Sequence, residues 1–171
     1  GIGLDLIKNF LNQSFKVLCI SRNKPDIKHV NLKFIKIDLS KKNNLVKKQN
    51  EIKKFRGKYL ICNAADLGEI NYIEDINLEK WEKSFFLNLF SHVYLVKYCL
   101  KTIKKKKGAI FFVAGGGAAN SFKKFSSYSL AKTSIVRFAE NLAAESKNRF
   151  YSFAVTPGPV ETKLMQKTLL H

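Results

Sequence analysis

Five short apolar runs punctuate the chain: KVLCISRN (Lys16 to Asn23), VNLKFIKIDLS (Val30 to Ser40), YLICNAA (Tyr59 to Ala65), AIFFVAG (Ala109 to Gly115) and FYSFAVTPG (Phe150 to Gly158). Apolar residues in them are near-continuous, as expected of strands buried on both faces. Helical spacing fills the intervals. GIGLDLIKNFLNQ is amphipathic, and KKNNLVKKQNEIKKF turns Leu45, Val46, Ile52 and Phe55 inward. A long helix runs from about Leu78 to Lys104, with Asp75 or Asn77 as its cap. Another runs from about Ser127 to Ser146, and a short one follows Val160. Strands alternating with helices predict an α/β fold: a doubly wound parallel sheet in three layers, α/β/α, within one domain over residues 1–171.

The opening residues narrow this further. GIG leads directly into a helix with no strand before it. In a nucleotide-binding βαβ unit, a glycine-rich turn joins a buried strand to the helix N-terminus that holds a pyrophosphate. Gly1 and Gly3 stand where such a turn ends. Because the strand feeding that turn is central, the sequence predicts a sheet with its first β-strand missing and a gap in its place. The chain then reads as a piece of a longer protein.

Composition excludes some functions. Hydrophobic residues make up 46%, yet no apolar run reaches the roughly 18 residues of a membrane span. The nearest, Phe85 to Leu100, is broken by Asn88, His92 and Lys97. No membrane partner is expected. Cys19, Cys62 and Cys99 are odd in number and lie in apolar segments, which predicts buried free thiols of a cytoplasmic protein and no metal site. The net charge of +18 comes almost wholly from scattered lysine, with arginine only at 22, 56, 137 and 149. Nucleic-acid readers favour arginine with exposed aromatics, so no nucleic-acid partner is predicted. The block Lys104 to Lys107 reads as a helix end, where cations suit the dipole.

A tyrosine four residues before a lysine, Tyr128 and Lys132 in SSYSLAK, carries little weight alone in a lysine-rich chain with six tyrosines. Order carries the weight. GIG is followed by Ser21-Arg22 after a strand, Asp38-Leu39 after the next, and CNAA after the third. Then come Asn88 inside the long helix, YSLAK, and PGPVET after the last strand. Each falls at a strand's C-terminal edge or on a helix facing it, where open α/β sheets bind ligands.

This series resembles the short-chain dehydrogenase/reductase family over essentially the whole chain, and the resemblance implies a Rossmann-like, NAD(P)-binding fold. Gly1-Ile2-Gly3 is similar to the end of the family's TGxxxGIG turn, and Asn63-Ala64-Ala65 to its NNAG motif. In that motif Cys62 replaces the first asparagine and Ala65 the glycine. Asn88 matches the helix asparagine, Tyr128 and Lys132 match YxxxK, and Pro157, Gly158, Val160 and Thr162 match PGxVxT. The resemblance implies Tyr128, Lys132 and Asn88 as catalytic residues. It also implies Gly1, Ile2, Gly3, Ser21, Arg22, Asp38, Leu39, Asn63, Ala64, Ala65, Pro157, Gly158, Val160 and Thr162, with Tyr128 and Lys132, as cofactor-binding. Typical members are longer, so a segment that helps form the substrate pocket lies beyond His171.

The chemistry has its own logic. Interconverting an alcohol and a ketone with a nicotinamide requires a proton donor or acceptor at the oxygen. A phenol with an ordinary pKa near 10 is a poor base at neutral pH. A lysine one turn away lies on the same helix face and stabilises the phenolate. Lys132 would also hold the nicotinamide ribose, and Asn88 would support a water that relays protons from Lys132. His92 reads as packing. For the cofactor, an acidic residue at the end of the strand KVLCISRN would favour NAD. Ser21 and Arg22 stand there instead, suited to a 2′-phosphate; NADP is predicted, with NAD the alternative. Asp38 reads as an adenine contact or as a local cap.

One part is missing. The family places a serine about thirteen residues before the tyrosine, which falls on Gly115, and an alignment to a glycine-rich variant of the loop puts Ala114 there instead. Losing an oxyanion donor commonly costs about 10²–10³ in turnover. Backbone N–H groups of Gly115 to Gly117 are one replacement, and Ser121, Ser126 or Ser127 another. The third reading is an NADP-binding sensor, scaffold or inactive subunit without turnover. The first two predict that Ala114→Ser raises turnover on a small-molecule carbonyl or alcohol; the third predicts that it changes little. Phe85, Leu89, Val93 and Val96, with Ile135 and Phe138, permit a homo-dimer or homo-tetramer and would equally serve a core.

Overall fold

A computed structural model describes residues 1–169, so the last two residues of the predicted domain lie outside the described residues. The elements alternate as read: helix α1 (Ile2–Asn12), strands β1 (Val17–Ser21) and β2 (Leu32–Lys36), helix α2 (Lys42–Lys54) and strand β3 (Tyr59–Cys62). Helices α3 (Leu78–Phe85) and α4 (Ser91–Lys105), strand β4 (Ala109–Val113), helix α5 (Ser126–Glu145), strand β5 (Tyr151–Val155) and helix α6 (Lys163–Thr168) follow. Every strand pair is parallel: β1 with β2, β3 with β4, and β4 with β5.

The sheet is interrupted as the opening GIG predicts. β1-β2 and β3-β4-β5 form two separate sheets among the described residues. Between them runs a groove of about 700 Å³ lined by all of β1 and all of β3, with Leu39, Ile52, Leu95 and Cys99 on its walls.

Three differences from the sequence reading have local causes. The second strand stops at Lys36 instead of running to Ser40, because Asp38 builds a turn: its carboxylate accepts from the Ser40 amide at 3.0 Å and from the Ser40 hydroxyl at 2.7 Å. On α2, Leu45 and Ile52 are buried as expected, but Val46 is 40% exposed. The predicted long helix is broken by one π-helical turn at Phe86–Phe90, which separates α3 from α4 and centres on Asn88. Of the two candidate caps, Asn77 accepts the Lys80 amide at 3.0 Å.

Two apolar clusters hold the layers. Cys62, Ile110 and Phe112 of the sheet pack on Val96 and Ile103 of α4 and on Ile135, Ala139 and Leu142 of α5. Ile35, Ile37 and Leu39 pack on Leu45 and Ile52 of α2 and on Leu95. Val96 and Ile135, candidates for an oligomer face, are core residues of this chain, and Leu89 and Phe138 pack against the same core. Exposed on those helices instead are Phe90 and Leu130. No helix among the described residues is long and apolar enough to cross a membrane, and none of the three cysteines is paired.

Candidate active site

The C-terminal ends of β1, β3, β4 and β5 open onto one cleft of about 960 Å³. Every residue predicted to bind cofactor lines it: Gly1, Ile2, Gly3, Ser21, Arg22, Asp38, Leu39, Asn63, Ala64, Ala65, Pro157, Gly158, Val160 and Thr162, with Tyr128 and Lys132. Asn88, fully buried, lies outside the lining.

The N-terminus of α1 is built for close approach. A β-carbon on Gly3 would sit 2.8 Å from Asn63 Nδ2, so glycine here lets the helix start beside the β3 loop without displacing the Asn63 amide. Leu4 and Asp5 both donate back to the Gly1 carbonyl, at 2.9 and 3.4 Å. The Ile2 and Gly3 amides therefore remain directed out of the helix end, as an anion site requires. At the far end Thr162 caps α6, its hydroxyl accepting the Met165 amide at 3.1 Å.

Around β1 the Ser21 hydroxyl donates to the Asn23 carbonyl at 2.6 Å, while Arg22 is exposed and makes no ion pair among the described residues. Burial works against the Asp38 charge. The Ser40 hydroxyl and amide, with Arg22 and Lys41 nearby, outweigh it and hold the carboxyl below its usual range. Asp38 is thus both a cleft residue and the cap of its own turn.

Tyr128 and Lys132 leave α5 on its buried face, 8% and 1% exposed. The Lys132 ammonium donates to the Val113 carbonyl at 2.7 Å and lies 5.6 Å from the Tyr128 ring centre. Burial pushes Lys132 down to about 8 and pushes Tyr128 up. Tyr128 is therefore a protonated phenol at neutral pH, a proton donor before it is a base.

The Asn88 side chain is occupied. Its Nδ2 donates to the Asp66 carbonyl at 2.7 Å and to the Ser84 carbonyl and hydroxyl at 3.0 and 3.1 Å. Its Oδ1 accepts the Asp66 amide at 3.1 Å. Asn88 thereby ties the loop after β3 to the π-helical turn, which leaves its amide little capacity for a water. His92, one turn on, is buried without a well-formed hydrogen bond at either ring nitrogen. Burial, then the nearby Lys132 charge, drives it down to about 3 against a weak opposing contact with the Ala64 backbone.

The position facing the tyrosine hydroxyl is Gly115. A β-carbon there would lie 2.8 Å from Tyr128 Oη. Ser121, Ser126 and Ser127 are not in the cleft lining. Ser126 instead accepts Trp81 Nε1–H at 2.9 Å, and Ser127 is buried without a partner. Phe122, in the loop after β4, and Leu164 and Met165, on α6, also line the cleft. They fall in the stretches, around Asn120 to Phe125 and beyond Thr162, where the sequence reading places pocket-shaping residues. Phe122 and Leu164 pack with Leu67, Phe125 and Tyr128.

A parallel α/β sheet with a glycine-bounded helix end and a buried tyrosine–lysine pair at its C-terminal edge is a Rossmann-like arrangement. Residues 1–170 match the family model for short chain dehydrogenases, and the chain belongs to that family. It is 37% identical over 118 residues to an uncharacterized oxidoreductase of Schizosaccharomyces pombe, covering 68% of this chain and 47% of that protein. It is 27% identical over 187 residues to the benzil reductase ((S)-benzoin forming) of Saccharomyces cerevisiae, covering 99% of this chain and 71% of that protein. A short chain dehydrogenase family protein from Francisella tularensis superposes with a TM-score of 0.88 at 28% identity, over 98% of this chain and 69% of that one. The chain thus spans only part of the length of its relatives.

Proposed function

We propose that the protein is an NADP-dependent oxidoreductase that interconverts a carbonyl and an alcohol, with Tyr128 as the proton donor and acceptor. The observation that carries this is the convergence of Tyr128, Lys132 and the open helix end of α1 on one cleft. When bound, the nicotinamide supplies or accepts the hydride. The residues present fit such a group: the Ile2 and Gly3 amides suit a pyrophosphate, and Gly3 leaves room beside Asn63. Ser21 and Arg22 suit a 2′-phosphate, Asp38 and Leu39 an adenine, and Asn63 to Ala65 with Pro157 to Thr162 the remainder.

Tyr128 gives its hydroxyl proton to the substrate oxygen in reduction and takes it back in oxidation. Lys132 supports the phenolate that results, since a neighbouring cation favours the charged form. Asn88 fixes the loop carrying Ala65 and Asp66 and so acts as a positioning residue. We place the protein in the cytoplasm, as a homo-dimer or homo-tetramer whose contacts include the exposed Phe90 and Leu130.

A second reading, NADP binding without turnover, is favoured by the absence of a side-chain hydroxyl at Gly115. Titrating the melting temperature with NADPH and NADH tests what both share. NADPH should stabilise the protein by about 2.7 kcal/mol at a hundredfold excess over Kd. No response to either nucleotide would end both readings. Turnover abolished by Tyr128→Phe, with the NADPH response intact, separates the enzyme from the non-catalytic binder.

A further inference from the structure

The three consecutive glycines after β4 are not equivalent. A side chain at Gly115 would meet the Tyr128 hydroxyl at 2.8 Å, and one at Gly117 would meet the Ser129 backbone at 3.2 Å. The first position is blocked by the Tyr128 hydroxyl and the second is tight against α5. Gly116 is different. A β-carbon there meets nothing closer than the edge of Phe122 at 4.0 Å, and the residue is exposed to the cleft. Its φ is not in the left-handed region, so its backbone would accept any residue. Glycine at 116 therefore leaves open space in the cleft beside Phe122 that no conformational need explains.

The walls of that space define what enters it. Phe122 and Leu164 belong to the apolar cluster around the Tyr128 ring, and with Met165 they are the large apolar side chains that the loop after β4 and α6 contribute to the cleft lining. None of the three carries a charge or a strong hydrogen-bonding group.

We propose that the substrate carbonyl bears a bulky apolar substituent, aryl or branched alkyl, seated over Gly116 against Phe122 and Leu164. Gly116 and Phe122 are then the specificity-determining residues. This rests on the oxidoreductase reading for the cofactor and deepens it for the substrate. A polyhydroxylated carbonyl would leave its hydroxyls unpaired against this wall, and a small aldehyde would leave the wall wet.

The test compares propiophenone with propanal and dihydroxyacetone, on the wild type and on Gly116→Val, with Gly116→Ala as the milder closure. Where turnover is measurable, Gly116→Val should lower the ratio of kcat/KM for propiophenone to that for propanal about tenfold or more, since a methylene-sized change in a pocket shifts discrimination by about 10–200-fold. The second readout needs no turnover. Propiophenone should raise the melting temperature of the NADPH-saturated wild type, less so for Gly116→Ala and not for Gly116→Val, while dihydroxyacetone has no effect. Equal losses for propiophenone and propanal, or stabilisation by dihydroxyacetone alone, would overturn the inference. Propiophenone binding without turnover would uphold it and refute the enzyme reading. Absence of any NADPH response would remove the reading on which it rests.

Discussion

Lys132 should destabilise the fold it sits in, and pH should reveal it. Its ammonium is 1% exposed with one protein acceptor, the Val113 carbonyl. The ordinary value of 10.5 falls to about 8 on folding, chiefly by burial. A cation whose folded pKa is depressed is charged at a cost below the folded value, and that cost disappears as pH rises toward the unfolded value. Between about 8 and 10.5 the unfolded chain holds a proton that the folded chain has lost, so stability rises with pH in that window. The whole gap corresponds to about 3 kcal/mol, net of the hydrogen bond to Val113. At pH 7, Lys132→Met should therefore be more stable than the wild type by about 3 kcal/mol. At pH 9.5 the advantage should have shrunk by about 2 kcal/mol, to about 1. Urea unfolding of both proteins at the two pH values measures this, and the difference between them cancels the titration of the surface lysines. A difference unchanged within about 0.5 kcal/mol would mean that Lys132 titrates normally and that the burial argument is wrong.

Other expectations follow from the same geometry. His92 is neutral in the fold and driven down to about 3, so it should cost stability progressively as pH falls from about 6.5 toward 3; His92→Leu should flatten that acid limb in a thermal-melt series. Gly68 has φ +73° and faces the Ser84 and Ser127 side chains; Gly68→Ala should cost about 3 kcal/mol by chemical denaturation, from backbone strain and overlap together. Asn88→Ala leaves the Asp66 backbone unpaired and should cost about 2–3 kcal/mol, read in the same assay. Gly115→Ala should displace the Tyr128 hydroxyl and lower turnover roughly 10²-fold, while the NADPH melting response stays intact; unchanged turnover would show that Tyr128 has room to spare.

The alternation of strands and helices was legible from the near-continuous apolar runs, but burial on both faces was not: β5 leaves Tyr151, Phe153 and Val155 exposed. The residues that meet in the cleft were legible because they sit at strand ends, and strand ends are marked by glycine, proline and small polar residues. What stayed hidden depended on side chains meeting across the fold. Nothing in the spacing of Asn88 announces that Asp66 will take both ends of its amide, or that a π-helical turn will form around it. The choice between Ala114 and Gly115 was open in the sequence, and only the distance to Tyr128 Oη separates them. Val96 and Ile135 carry the same apolar signature whether they face a partner or a core.

The groove between β1 and β3 has a consequence for how these residues behave in solution. Two parallel edges face it, each with backbone donors and acceptors unmatched on that side, and the walls between are apolar. An extended segment pairs along such edges through its main chain, with little discrimination by side chain, so these residues by themselves are prone to associate edge to edge.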